Sequence, residues 1–132
     1  MLLVLLLGLV LGHYALSVPH SPPGLKDKLQ QLAYSIPLSS EAKNRVANVE
    51  LLISHSSQTH NKRRIYLCIS NNGRNFDTNT IFNAAIHELA HVICDDEGHT
   101  DNFKTIERRL QAEALKRRYI SNVHIDSSYP CI

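Results

Sequence analysis

The chain has 132 residues, of which 43% are hydrophobic and 20% are charged. This length suits one modest domain and excludes two, and the ordinary globular composition excludes wholesale disorder. The formal net charge of +2 is too small to indicate a polyanionic partner, and three widely spaced cysteines exclude a disulfide framework and leave at most one bridge.

An apolar segment over residues 1–18 opens the chain. Every face of a helix built from it would be hydrophobic, which does not suit a soluble core. No Lys or Arg precedes it, whereas Lys26 and Lys28 follow, so the charge distribution favours an uncleaved membrane anchor with a cytosolic domain behind it. The alternative is a cleaved signal peptide and a secreted domain, because Ala15 and Ser17 are small residues suited to a cleavage site.

The segment 19–24, Pro-His-Ser-Pro-Pro-Gly, is interpreted as a linker to a domain over residues 25–132. Leucines at helical spacing predict a short amphipathic helix over 25–35 that ends before Pro37. Residues 40–47 are a candidate for a second short helix. We therefore expect the domain to begin with helical structure.

Two segments rich in β-forming residues come next, at 49–53 and 64–69. The stretch between them is polar, turn-like and longer than a tight hairpin connection. We therefore predict an antiparallel pair of strands joined by a loop of about ten residues. The segment 71–75 ends the second strand.

A long helix is predicted from a cap at Asp77 or Thr78 to about Cys94, which we expect to be a core residue. A further helix is expected from a cap at Thr100 to about Arg118. The order of helix, strand pair, long helix and helix predicts an α+β domain with a small antiparallel sheet packed on the long helix.

The long helix contains the sequence His87-Glu-Leu-Ala-His91. Residues four positions apart lie one turn apart on the same helix face, so both imidazoles can bind one metal ion. Glu88 lies beside them, where its carboxylate can take a proton from water activated by the metal. His99 is the candidate third ligand, which completes the pattern of three protein ligands and one open position that is typical of catalytic zinc.

Other side chains leave alternatives open. The acidic run 95–97 lies close to His99 in the sequence and could bind the metal in its place, although a solvated turn or a hydrogen bond to an imidazole is the expected role. No residue is assigned to stabilise an oxyanion. Three downstream residues are candidates that could reach the metal: Tyr119, His124 and Tyr129.

Four short sequences carry a resemblance to a known family. They are I-Y-L-C-I, D-T-N-T, A-I-H-E-L-A-H-V and G-H-T-D-N-F, at 65–69, 77–80, 85–92 and 98–103. Together they resemble the WLM/SprT-like zinc metallopeptidase family, most of all the short forms encoded by large double-stranded DNA viruses. In those forms H-E-L-A-H is followed by G-H-T-x-x-F.

The resemblance implies a minimal zincin fold that binds one Zn²⁺ ion, with His87, His91 and His99 as ligands and Glu88 as the catalytic residue. We therefore expect a zinc-dependent endopeptidase that hydrolyses peptide bonds. The alternative is a non-catalytic, membrane-anchored zinc-binding module, in which zinc stabilises the fold or binds a partner. A structural zinc normally has four protein ligands, which would distinguish the two.

The expected partners are a protein or peptide substrate and, if residues 2–18 are not cleaved, a membrane. Cellular members of the resembled family act on proteins crosslinked to DNA and carry additional binding segments, which we do not expect within these 132 residues. Basic groups at 62–64, 108–109 and 116–118 are compatible with phosphate contact. Interspersed acidic residues, and the lack of an aromatic set for stacking, favour a solvated face over a nucleic-acid interface.

Overall fold

The computed structural model describes residues 21–125 and Tyr129. The chain there forms a mixed α and β domain, which confirms the predicted α+β class. Its elements in chain order are α1 (Leu25–Tyr34), α2 (Ser40–Ala47), β1 (Glu50–Ile53), β2 (Gln58–His60), β3 (Arg64–Leu67), β4 (Ser70–Asn71), β5 (Arg74–Asn75), α3 (Thr78–Ile93) and α4 (Asp101–Lys116).

The four helices lie where the sequence predicts them. Three of them begin at a capping side chain, which is a signal that the sequence contains. The side chains of Ser39, Asp77 and Thr100 each accept a hydrogen bond from the backbone N–H three residues further on, which satisfies a donor that has no partner within the helix. Of the two predicted caps, Asp77 and Thr78, Asp77 is the one that begins α3. α1 begins after Gly24, whose φ of 67° is left-handed.

The strand pairing differs from the prediction. The strand order is β1-β3-β2, with β1 parallel to β3 and β2 antiparallel to it. The predicted antiparallel pairing of 49–53 with 64–69 is therefore wrong. Part of the segment expected to be a loop forms β2, and residues 54–57 pass over the end of β3, where the Ser54 amide donates to the Leu67 carbonyl. The sheet is mixed rather than antiparallel.

Two tight turns explain the short hairpins. Asn61 and Lys62 both have positive φ, near 54°, and the Arg63 amide donates to the His60 carbonyl across the turn between β2 and β3. Such left-handed turns match the twist of paired strands. The sequence Asn-Gly at 72–73 forms a similar turn between β4 and β5, a hairpin where we expected only the end of a strand.

The core is organised around α3, which contacts the other three helices and the sheet through β2 and β3. Twelve of its sixteen residues are buried, so the helix that carries the predicted metal ligands His87 and His91 is firmly packed. Cys94, which follows it, is free and fully buried, as predicted, whereas Cys68 is disulfide-bonded.

Within the ranges that the structure describes, no helix is long and apolar enough to cross a membrane. The longest, α3 and α4, have 16 residues each. They reach about 24 Å, less than the roughly 30 Å of a bilayer's hydrocarbon core. The predicted membrane-anchored localisation is therefore wrong for this part of the chain. The segment 1–18 and most of the tail after residue 125 lie outside the described residues.

Candidate metal centre

The three predicted histidine ligands converge. His87 and His91 lie one turn apart on α3, and His99 comes from the loop that joins α3 to α4. One ring nitrogen of each residue lies within 4.8 Å of those of the other two, and the Nε2 atoms of His91 and His99 are 3.2 Å apart. Among the described residues this is the one group of three or more His, Cys, Asp or Glu side chains placed to hold a metal ion.

These distances fit a zinc ion. Two nitrogens bound to tetrahedral zinc lie about 3.4 Å apart, since each Zn–N bond is about 2.0–2.1 Å long. The spacing of His91 and His99 is already close to that value. The other nitrogen–nitrogen distances in the group are at most 4.8 Å. Rotation of an imidazole ring can bring these atoms to the separation that zinc requires. Three imidazoles are also a donor set that zinc favours.

The loop that carries His99 is fixed by hydrogen bonds at both of its ends. Arg45 of α2 donates to the carbonyls of Val92 and Ile93 and forms an ion pair of 2.8 Å with Asp95. These contacts satisfy carbonyl groups that are left without partners where α3 ends.

Further along the loop, the Lys62 Nζ atom donates to the Asp96 carbonyl at 3.0 Å, and the Thr100 hydroxyl donates to the Asp96 carboxylate at 2.8 Å. Gly98 has a φ of 75°, a conformation that other residues adopt only with strain. The turn at Gly98 thus places His99 opposite α3.

Side chains of helix α4 pack against the three histidines. The Phe103 ring is buried, and its centre lies 5.2, 4.3 and 4.9 Å from those of His87, His91 and His99. One turn later, the Glu107 Oε2 atom lies 2.6 Å from His87 Nδ1. The imidazoles are therefore held by an apolar ring and by one carboxylate.

Glu88 lies beside the histidines in an open cleft of about 440 Å³. Its side chain is buried, with 4% of the residue exposed. The Thr59 hydroxyl of β2 lies 3.0 Å from the Glu88 backbone oxygen, to which it donates, and 3.4 Å from the carboxylate atom Oε1. The cleft is bordered by β2, by Asn61 and Lys62 of the next turn, and by Glu97 to His99.

Burial and charge set different protonation states for these groups. Burial lowers the pKa of His91 to about 4, with nearby positive charges acting in the same direction, so its imidazole is neutral at pH 7. Burial raises the pKa of the Glu88 carboxyl above its ordinary value. Burial would lower the pKa of His87, but the hydrogen bond to Glu107 and its negative charge outweigh that effect and raise it.

The acidic run 95–97 lies outside the histidine group. Asp95 pairs with Arg45, Asp96 accepts from Thr100, and the Glu97 side chain is 94% exposed, with only a long contact of 3.9 Å to Lys62. None of these carboxylates occupies the position of His99 or adds a fourth member to the group.

The downstream aromatic candidates have hydrogen-bond partners outside the histidine group. The Tyr119 hydroxyl donates to Gln31, and the Tyr129 hydroxyl donates to the Cys68 carbonyl and contacts Ser57. Neither residue lines the cleft, nor does His124, but Ser57 does. Burial, and in smaller part the negative charge of Glu88, raises the pKa of the Tyr129 hydroxyl.

Sequence reasoning missed Glu107, Thr59 and Lys62. Glu107 has a signal in the sequence, because it lies one turn after Phe103 of the G-H-T-D-N-F segment and so shares its helix face. Thr59 and Lys62 have none, because they lie in a segment that was predicted to be a loop.

No protein-family model and no solved structure matches the chain. It is similar to uncharacterized protein 042R of Invertebrate iridescent virus 3, with 43% identity over 74 residues, which cover 54% of this chain and 46% of that protein. It is also similar to uncharacterized protein 136R of Invertebrate iridescent virus 6, with 38% identity over 72 residues, which cover 52% and 40%. The chain thus spans less than half the length of these curated relatives.

Proposed function

We propose that the protein is a viral zinc-dependent endopeptidase with a minimal zincin-like domain of the WLM/SprT-like type. The observation that carries the proposal is the convergence of His87, His91 and His99 beside the carboxylate of Glu88 in an open cleft. The similarity to two iridescent virus proteins supports the viral origin.

The three histidines bind the metal, and their number leaves one coordination position for water or substrate. A zinc ion bound there supplies the Lewis acid that activates water and polarises a peptide carbonyl. Glu88 takes the proton of the attacking water at its carboxylate and delivers it to the leaving nitrogen. Burial suits this role, because it raises the pKa of the carboxyl towards the range in which a proton is both accepted and released.

The proposed substrate is an extended stretch of polypeptide. The cleft is open, and β2, which borders it, is the last strand of its sheet and pairs with β3 on one side. A peptide can add to such an edge through backbone hydrogen bonds, which places a peptide bond near the metal centre without selecting a particular side chain.

The alternative is a zinc-binding module without catalytic activity. That role would be favoured by a fourth protein ligand that closes the site. The acidic run 95–97 is engaged elsewhere or exposed, and a buried glutamate beside the ligands has no use in a purely structural site. Both observations favour the enzyme.

The test uses the full chain purified with its metal. We expect one equivalent of zinc, cleavage of casein, and loss of cleavage on chelation with recovery when zinc is restored. Glu88→Gln keeps the shape of the side chain but not its basicity, so it should retain zinc and lose cleavage by at least about a hundredfold.

Glu113→Gln, at a carboxylate that pairs with Arg117 and does not line the cleft, is the matched control and should cleave normally. The proposal fails if Glu88→Gln cleaves casein as fast as the unaltered chain, or if the purified protein neither contains nor takes up zinc.

A further inference from the structure

Helix α4 provides no metal ligand, yet it places a carboxylate against one. The Glu107 Oε2 atom lies 2.6 Å from His87 Nδ1. Both side chains are mostly buried, with exposed fractions of 21% for Glu107 and 18% for His87. A contact this short and this sheltered differs from an ordinary surface ion pair, which is longer, hydrated and weak.

The contact determines which nitrogen of His87 faces the metal. A neutral imidazole carries a proton on one nitrogen and a lone pair on the other. Because a carboxylate is an acceptor with no proton to donate, the 2.6 Å contact assigns the proton to Nδ1, which donates. The lone pair is therefore on Nε2, and the ring cannot turn over without breaking the hydrogen bond.

The other two histidines lack such a partner. Within residues 21–125 and Tyr129, no carboxylate is hydrogen-bonded to His91 or His99, whose Nε2 atoms face each other at 3.2 Å. Only His87 is thus held in a single orientation by a charged group. The arrangement gives the site one ligand whose orientation is set by a charged neighbour.

A purely structural role for Glu107 would be to join α3 to α4. That junction already has apolar contacts, because Phe103, Leu110 and Ala114 of α4 are buried. A role in joining the helices predicts a loss of stability without metal. A role at the metal centre predicts a loss of metal affinity that exceeds any such loss.

We propose that Glu107 is a positioning residue of the metal centre, which holds His87 in the Nδ1–H tautomer and increases its basicity as a ligand through its negative charge. The inference rests on the proposed zinc site but not on peptidase activity. The residue acts through His87, with no contact to substrate.

The test compares Glu107→Ala, Glu107→Gln and the control Glu113→Ala. Glu113 is on the same helix, has a similar exposed fraction of 24%, and forms an ion pair with Arg117. Zinc affinity is measured by competition with a chromophoric chelator, the ligand field by the visible spectrum of the cobalt(II) form, and stability by the unfolding midpoint of the metal-free chain.

We expect Glu107→Ala to weaken zinc binding by about 10–100-fold and to alter the cobalt spectrum. Glu107→Gln keeps a hydrogen-bond acceptor but not the charge, so it should recover part of the affinity and remain several-fold weaker than the unaltered chain. Glu113→Ala should stay within about twofold, because Glu113 pairs with Arg117 and not with a histidine of the metal centre.

The inference is overturned if Glu107→Ala binds zinc as tightly as the unaltered chain, or no more weakly than Glu113→Ala. If Glu107→Ala does not fold, Glu107→Gln decides, and full zinc affinity in that variant contradicts the proposal. Failure of the unaltered chain to bind zinc would instead contradict the proposed function, so the two failures are distinguishable.

Discussion

The Nε2 atoms of His91 and His99 lie 3.2 Å apart, although one residue belongs to α3 and the other to the loop that follows it. The backbone that carries the two rings is held in place on both sides. Here the fixed elements are the buried helix, the left-handed turn at Gly98, and the hydrogen bonds that Arg45 and Lys62 make to the chain between them.

The turn at Gly98 provides a paired test of this geometry. Gly98→Ala should destabilise the protein by about 1–2 kcal/mol, because φ is 75° there and a side chain makes that conformation unfavourable. Gly73→Ala should cost a similar amount, since its φ is 78° and the space around both glycines is open. Urea unfolding of the metal-free variants measures both effects.

Only Gly98→Ala should also weaken zinc binding, because only that turn positions a ligand. Equal zinc affinity in the two variants would show that the His99 loop does not depend on the left-handed turn.

The hydroxyl of Thr59 should affect catalysis without affecting the metal. Thr59→Val keeps the side-chain shape but removes the hydrogen bond to the Glu88 backbone and the contact with its carboxylate. We expect kcat/KM to fall by roughly fivefold, equivalent to about 1 kcal/mol, with unchanged zinc content. Thr105→Val, whose hydroxyl bonds within α4, is the control. Equal rates for the two variants would contradict a role for Thr59 at Glu88.

The cap of α3 should contribute measurably to stability. Asp77 accepts from the Thr80 backbone N–H at 2.8 Å and also contacts the Thr80 hydroxyl. Asp77→Ala should lower the free energy of unfolding by about 1 kcal/mol, whereas Asp77→Asn should retain most of it, because asparagine also caps helices. Chemical denaturation measures the difference. Equal losses in both variants would mean that Asp77 does not stabilise the protein by capping α3.

The protonation of His91 can be measured directly in the metal-free chain. Its pKa is lowered from 6.5 to about 4, chiefly by burial, so its imidazole should remain neutral through pH 5 in a nuclear magnetic resonance titration. The unfolded chain takes up this proton at higher pH than the folded chain. The contribution of His91 to stability therefore declines as the pH falls from about 6.5 to about 4. A titration midpoint above pH 6 in the folded protein would contradict the expectation.

The features that depend on neighbours along the chain could be predicted from the amino-acid sequence. The helices follow from apolar spacing and from caps such as Asp77 and Thr100, and the shared face of His87 and His91 follows from the helical repeat. These signals span a few residues, so they can be recognised without knowledge of the rest of the fold.

Features that depend on contacts between distant segments could not be predicted in this way. The β1 and β3 segments were visible as strands, but their parallel direction was set by β2, which pairs with β3 from the other side. Likewise, Glu107 reaches His87 only because α4 folds back along α3. Residues twenty positions apart have no fixed distance until the helices pack, because local periodicity does not specify how the faces of separate elements meet.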